Sequence, residues 1–293
     1  MIHMKKAFLI AVLLLIAVAM IGCQSNPDTA QIAATTLPVY EFSQILCQGT
    51  DISVVRLVTE DVSCLHDYTL QVSQMRVIEE AELVVLSGAG LESFMEDALE
   101  AAKSSVDASR GIELLCAEHD DHNHGHEHDH DPHIWLSPSN AKIMAQNICN
   151  SLTETFPKHS DIFETNLQFL LDKLDTLNNY GTETLGQLAR RDLITFHDGF
   201  AYFADAFELT IVHALEEEAG SESSASELIE IINILKETSI PAIFTETNGS
   251  DAAANIIAAE IGVKVYSLDM AMAGNSYFDA MYKNIDTIKE ALE

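Results

Sequence analysis

A chain of 293 residues with 47% hydrophobic content is long enough for two domains of ordinary size, each able to bury a core. Its 15 Lys and Arg stand against 46 Asp and Glu, a net charge of −31. That balance excludes nucleic acid and anionic membrane surfaces as electrostatic partners and leaves cations as the natural counterpart.

The chain opens with an address. Lys5 and Lys6 precede an unbroken apolar run over residues 7–21, the length of a signal-peptide core and short for a membrane-spanning helix. The run closes at Met20-Ile21-Gly22-Cys23, which resembles the bacterial lipoprotein box. The resemblance implies that residues 1–22 are a lipoprotein signal peptide and that Cys23 becomes the lipidated first residue. The mature chain is then anchored to the outer face of the cytoplasmic membrane without spanning it. Residues 23–30, with Ser25, Asn26, Pro27 and Asp28, read as a tether.

Periodicity then predicts a β/α alternation, with strands at 31–36, 52–58, 83–86 and 112–115 and helices at 39–48, 72–81 and 91–104. The loop after the second strand carries Glu60, Asp61, Cys64, His66 and Asp67. From Pro138 the pattern turns helical, over 140–155 and then 160–189. Leu167, Leu170, Leu171, Leu174 and Leu177 recur at helical spacing there, and Gly181 and Gly186 are expected to curve or fray the end. The alternation returns with strands at 193–196, 210–215, 242–245 and 263–268 and helices at 199–207, 225–237, 252–261 and 277–292. The fold class is therefore α/β: two lobes, each with a four-stranded mainly parallel sheet flanked by helices, joined by one long backbone helix. The N-terminal lobe takes residues 31–157, with a His-rich loop at 117–131, the linking helix 158–190 and the C-terminal lobe 191–293.

Seven of the 12 histidines fall within residues 119–133. His119, His122, His124, His126, His128 and His130 alternate with carboxylates, and no core could bury so many polar rings, so they read as an accessory metal-collecting loop. The tract ends at Asp131-Pro132-His133-Ile134-Trp135-Leu136, where a His held by a Pro precedes the single Trp: a fixed ligand after a loose collector. Ligands of open parallel sheets bind beyond the carboxyl ends of the strands. His66 follows the second strand and His133 the fourth; His197 caps the first strand of the second half and Asp269 its last. Three imidazoles and a carboxylate converging on one cleft suit tetrahedral Zn²⁺, whereas oxygen-rich shells suit Mn²⁺, Mg²⁺ or Ca²⁺. Glu246 ends a strand on the same edge and reads as a supporting or water-mediated partner. His159 and His213 read as structural. With Cys23 taken by lipid, Cys47, Cys64, Cys116 and Cys149 allow three disulfide pairings, and their spacing does not choose among them.

The chain resembles the zinc and manganese solute-binding proteins of bacterial ABC importers over nearly its whole length. The resemblance rests on the lipobox at Cys23, on His66-Asp67-Tyr68 and the strand and turn over 83–92, and on Asp131-Pro132-His133-Ile134-Trp135-Leu136-Ser137-Pro138. It continues through His197-Asp198-Gly199-Phe200-Ala201-Tyr202-Phe203, Ile243-Phe244-Thr245-Glu246 and Ser267-Leu268-Asp269. It implies two α/β lobes on a rigid helix with the metal between them, held by His66 and His133 from one lobe and His197 and Asp269 from the other. Manganese-preferring members carry a carboxylate where His197 stands and lack a long His-rich loop, so the resemblance implies zinc. Two stretches depart from the family pattern: Thr69-Leu70-Gln71, where an acidic, proline-containing run is usual, and residues 270–276, which are bare of charge.

The function expected is an extracytoplasmic zinc receptor, a monomer and not an enzyme, that hands Zn²⁺ to a membrane permease driven by a cytoplasmic ATPase. A manganese receptor of the same family is the nearest alternative. A zinc hydrolase with Glu246 as base would need an open fourth position; the one His-Glu-x-x-His match, His126 to His130, falls inside the polar His-rich tract and not in an amphipathic helical pattern, and the chain has no Gly-x-Ser-x-Gly. A surface adhesin would use the metal only to hold its fold.

Overall fold

Short apolar runs bounded by turns form two parallel sheets. The computed structural model describes residues 30–60, 65, 68–116, 130–216 and 225–293. The signal peptide, the tether up to residue 29 with Cys23, and Cys64, His66, Asp67, His119, His122, His124, His126 and His128 lie outside the described residues. In the N-terminal lobe β1 (Ile32–Ala34), β2 (Val54–Arg56), β3 (Leu83–Leu86) and β4 (Ser105–Asp107) run parallel in the order β2-β1-β3-β4. In the C-terminal lobe β5 (Asp192–His197), β6 (Thr210–Glu216), β7 (Ala242–Glu246) and β8 (Lys264–Leu268) take the corresponding order β6-β5-β7-β8. The central strands β1 and β7 are buried along their whole length, as parallel strands covered on both faces must be.

Helices α1 (Leu37–Leu46), α2 (Val72–Glu80) and the single turn α3 (Glu96–Leu99) belong to the first sheet, followed by α4 (Pro138–Thr155) and α5 (Ser160–Leu185). The second sheet carries α6 (Ala201–Ala206), α7 (Ala225–Thr238), α8 (Ala252–Ile261) and α9 (Tyr277–Leu292). Ser137 caps α4 by accepting from the Asn140 amide, and Pro138 opens the helix at a position that needs no amide donor. The 26 residues of α5 extend about 39 Å at the usual rise. Phe163, Leu167, Leu170, Leu174, Leu177, Gly181 and Leu185 form its buried stripe, packed against α1, α4 and α9. Each fully buried Leu in that stripe contributes about 2 kcal/mol by area removed from water. One apolar cluster holds Phe42, Trp135, Leu174, Phe203 and Tyr277 together, so the two lobes share a core rather than meeting at a thin hinge.

The structure corrects several expectations. Residues 91–104 do not make one helix: a 3-10 turn at Ser93–Met95 runs into α3. Gly88, Ala89 and Gly90 all adopt positive φ, and Glu92 is drawn inward as an acceptor, which forces the chain to turn where a helix would have continued. The fourth strand is Ser105–Asp107, not 112–115. Asp107 Oδ1 accepts from both the amide and the hydroxyl of Ser109, closing that strand, and residues 112–115 run as irregular chain. Gly181 does not fray α5, which continues through it to Leu185. It makes room for Phe207, whose ring would lie 2.2 Å from an added Cβ.

Candidate metal site

In each sheet the strand order reverses between the first and third strands, the crevice at which open α/β sheets bind ligands. In the C-terminal lobe Thr195 pairs with Phe244, so two residues further on His197 and Glu246 leave β5 and β7 side by side. Both are buried, at 4% and 6% exposure, with His197 Nε2 3.7 Å from Glu246 Oε1, too long for a hydrogen bond between those two atoms. Gly199 is what lets the ring sit there. A Cβ at that position would approach His197 Cδ2 to 2.6 Å and Met270 Cε to 2.7 Å.

Asp269 is the first residue beyond β8, and Asn284 on α9 fixes its backbone at both ends. The Asp269 amide donates to Asn284 Oδ1 (2.8 Å), and Asn284 Nδ2 donates to the Asp269 carbonyl (2.7 Å). Its Oδ1 accepts from the Ala271 amide (2.8 Å), and Glu246, Asp269, Met270 and Met272 are among the residues that line one small cavity.

His133 comes from the other lobe and not from a strand end, which corrects the expectation that it follows the fourth strand. It heads the 3-10 turn Ile134–Leu136, far along the chain from β4, and is 3% exposed. Asp131 Oδ1 accepts from the His133 amide (2.9 Å) and meets its Nδ1 at 2.7 Å. That contact places the proton of the neutral ring on Nδ1 and leaves Nε2 as the lone-pair donor. The rings of His133 and His197 lie 5.3 Å apart, nearly perpendicular, across the seam between the lobes.

The structure thus brings His197 beside both His133 and Glu246, and Glu246 and Asp269 line one cavity. His130 is exposed and pairs with Cys116 in an antiparallel bridge. His159 lies apart at the start of α5, 3.3 Å from Asp51. His66 lies outside the described residues, but the residues flanking its loop are braced. The Tyr68 hydroxyl donates to Glu60 Oε2 (2.8 Å), Gln74 Nε2 donates to that hydroxyl (2.6 Å), and Gln71 Nε2 donates to Glu60 Oε1 (3.3 Å). The Tyr68 bond holds the Glu60 carboxyl below its usual range. Gln71 and Gln74 also form the capping box of α2, which gives the departing Thr69-Leu70-Gln71 sequence a local purpose. Among the described residues no three His, Cys, Asp or Glu stand close enough to hold a metal ion by themselves. Cys47, Cys116 and Cys149 are free thiols, Cys47 being pushed up to about 12 by burial.

Sequence reasoning assigned no role to Asp131, Gly199 or Asn284. Asp131 was open to discovery, standing two residues before a candidate ligand in a Pro-fixed turn. Asn284 was not, because it reaches Asp269 only through the packing of α9.

A family model described as zinc-uptake complex component A, periplasmic, matches residues 32–291. The high-affinity zinc uptake system protein ZnuA of Bacillus subtilis is 29% identical over 290 residues, covering 92% of this chain and 90% of that protein. The zinc-binding lipoprotein AdcA of Streptococcus pneumoniae is 29% identical over 311 residues, covering 99% of this chain; the chain spans 62% of that longer relative. A crystal structure of ZnuA superposes with a TM-score of 0.80 at 32% identity, covering 91% of this chain and 100% of its own.

Proposed function

The chain belongs to the zinc-uptake complex component A family, and from that premise we propose that it is the extracytoplasmic receptor that captures Zn²⁺ between its lobes and delivers it to an ABC-type permease with a cytoplasmic ATPase. It binds zinc as cargo and is not an enzyme.

His66, His133, His197 and Asp269 hold the cargo in this reading, with Glu246 beside His197. The observation that carries it is the meeting of two buried imidazoles from opposite lobes, one with its tautomer set by Asp131. Each ring is already desolvated and oriented, so binding orders few side chains. Zn²⁺ is favoured over Mn²⁺ because the set is imidazole-rich, and the neighbouring carboxylates supply the negative potential that draws a cation into a buried place. Cys23 carries the lipid that keeps the receptor, as a monomer, at the outer face of the membrane. The tract from His119 to His130 collects metal at lower affinity.

Calorimetric titration of the metal-free mature chain with Zn²⁺ and Mn²⁺ tests this. One tight Zn²⁺ site is expected, lost in His133→Ala and in His197→Ala, and retained with fewer weak sites when residues 119–129 are deleted. Tight binding that survives both histidine changes, or vanishes with the tract, would move the site elsewhere.

A further inference from the structure

The uncharged stretch between Asp269 and α9 is tied to the N-terminal lobe through Met270, Met272 and Gly274, and α9 through its first residue, Tyr277. Trp135 Nε1 donates to the Met270 carbonyl (2.7 Å), the Leu37 amide to that of Met272 (3.1 Å), and Arg56 Nη1 to that of Gly274 (2.8 Å). The Tyr277 amide donates to Glu41 Oε2 (2.6 Å), and its hydroxyl returns to the Trp135 carbonyl (2.8 Å). All the acceptors on residues 270–274 are backbone carbonyls, which explains why the stretch works without charged side chains.

One of these ties differs from the rest. Trp135 stands two residues after His133, packs its ring edge-on at 5.5 Å from that imidazole, and grips the carbonyl of the residue immediately after Asp269. Trp135 and Tyr277 are both completely buried, and Met270 nearly so, so water cannot replace the indole donor. We infer that Trp135 is a positioning residue for zinc: its indole N–H fixes Asp269 of the C-terminal lobe relative to His133 of the N-terminal lobe, setting the spacing of the cargo shell without touching the metal. This rests on the assignment of His133 and Asp269 as cargo-holding groups. Since Asp269 Oδ1 is held by the Ala271 amide, a shift of the Met270 peptide moves the carboxylate with it.

The test is a double-mutant cycle on the full mature chain, reading zinc affinity by chelator competition and the visible absorption of the Co²⁺-loaded protein. Trp135→Phe keeps most of the packing and removes the donor. It should weaken zinc binding about tenfold, the scale of a lost outer-shell contact, and change the Co²⁺ spectrum in the direction of Asp269→Ala. In an Asp269→Ala background it should cost nothing further. Tyr277→Phe, a milder change that frees the Trp135 carbonyl, should shift both readouts in the same direction by less, and serves if Trp135→Phe does not fold. Equal losses in both backgrounds, or an unchanged Co²⁺ spectrum, would overturn the inference and leave Trp135 a packing residue. An Asp269→Ala protein that binds zinc and Co²⁺ like the wild type would overturn the assignment of Asp269, and the inference with it.

Discussion

The two lobes present the same crevice and treat it in opposite ways. In the C-terminal lobe the residues that leave the first and third strands in register are His197 and Glu246. In the N-terminal lobe the corresponding pair, two residues beyond Ala34 and Val85, is Thr36 and Ser87, whose hydroxyls bond to each other at 2.7 Å. Beside them the Glu92 carboxylate accepts from the Thr35 hydroxyl (2.6 Å) and from the Ser87 and Gly88 amides (2.7 and 3.0 Å). The first crevice is plugged by the protein's own carboxylate, while the second is lined with an imidazole and a carboxylate. Sheet topology therefore provides two equivalent places, and side-chain chemistry decides which can serve. The N-terminal lobe's candidate, His133, stands in a turn outside its sheet instead.

Making the second crevice resemble the first is the strongest challenge to this contrast. His197→Thr combined with Glu246→Ser should leave the fold intact by circular dichroism and weaken Zn²⁺ binding on the order of a hundredfold or more, since an imidazole donor is lost. Unchanged affinity would mean that the crevice is not where zinc binds. Asp131→Asn comes next. The amide can still accept from His133 Nδ1 but carries no charge, so zinc affinity should fall about tenfold with thermal stability nearly unchanged.

The plug gives a pH signature in the metal-free chain. Burial raises Glu92 from its ordinary 4.5 to about 7 despite its three donors. The folded state therefore holds the proton more tightly than the unfolded state. This contribution is fully present below about 4.5 and lost as pH rises through about 7, a change of order 3 kcal/mol. Unfolding titrations at pH 5 and pH 8 should show a smaller loss of stability in Glu92→Gln than in the wild type; equal losses would mean that Glu92 does not titrate in this window. The smallest effect is expected from Thr36→Val, which strands the Ser87 hydroxyl. It should cost about 1–2 kcal/mol by denaturant unfolding while leaving zinc affinity alone, and a drop in affinity would show that the plugged crevice is coupled to the site.

The C-terminal half of the candidate site was legible in advance. His197, Glu246 and Asp269 sit at or just beyond the ends of strands whose apolar runs are plain, and parallel pairing carries such positions to one edge. His133 was reached by motif, while the strand-end reasoning offered for it fails because β4 ends well before the His-rich tract begins. The helix expected over 91–104 failed for a related reason. Glu92 looks like an ordinary helix-surface residue until Thr35, Ser87 and Gly88, distant or in a turn, are seen to converge on it.

What the sequence determined by itself is local or compositional: the alternation of strand and helix, the leucine stripe of α5, and the presence of imidazoles suited to zinc. These follow from periodicity and residue chemistry, which need no knowledge of distant neighbours. Only the tertiary structure decided that the two lobes share one core, that Asp131 sets the tautomer of His133, and that Trp135 reaches Met270 across the seam. Such contacts depend on how α5 and α9 bring the sheets together, and a side chain's partners in a packed interior are chosen by that geometry rather than by its place along the chain.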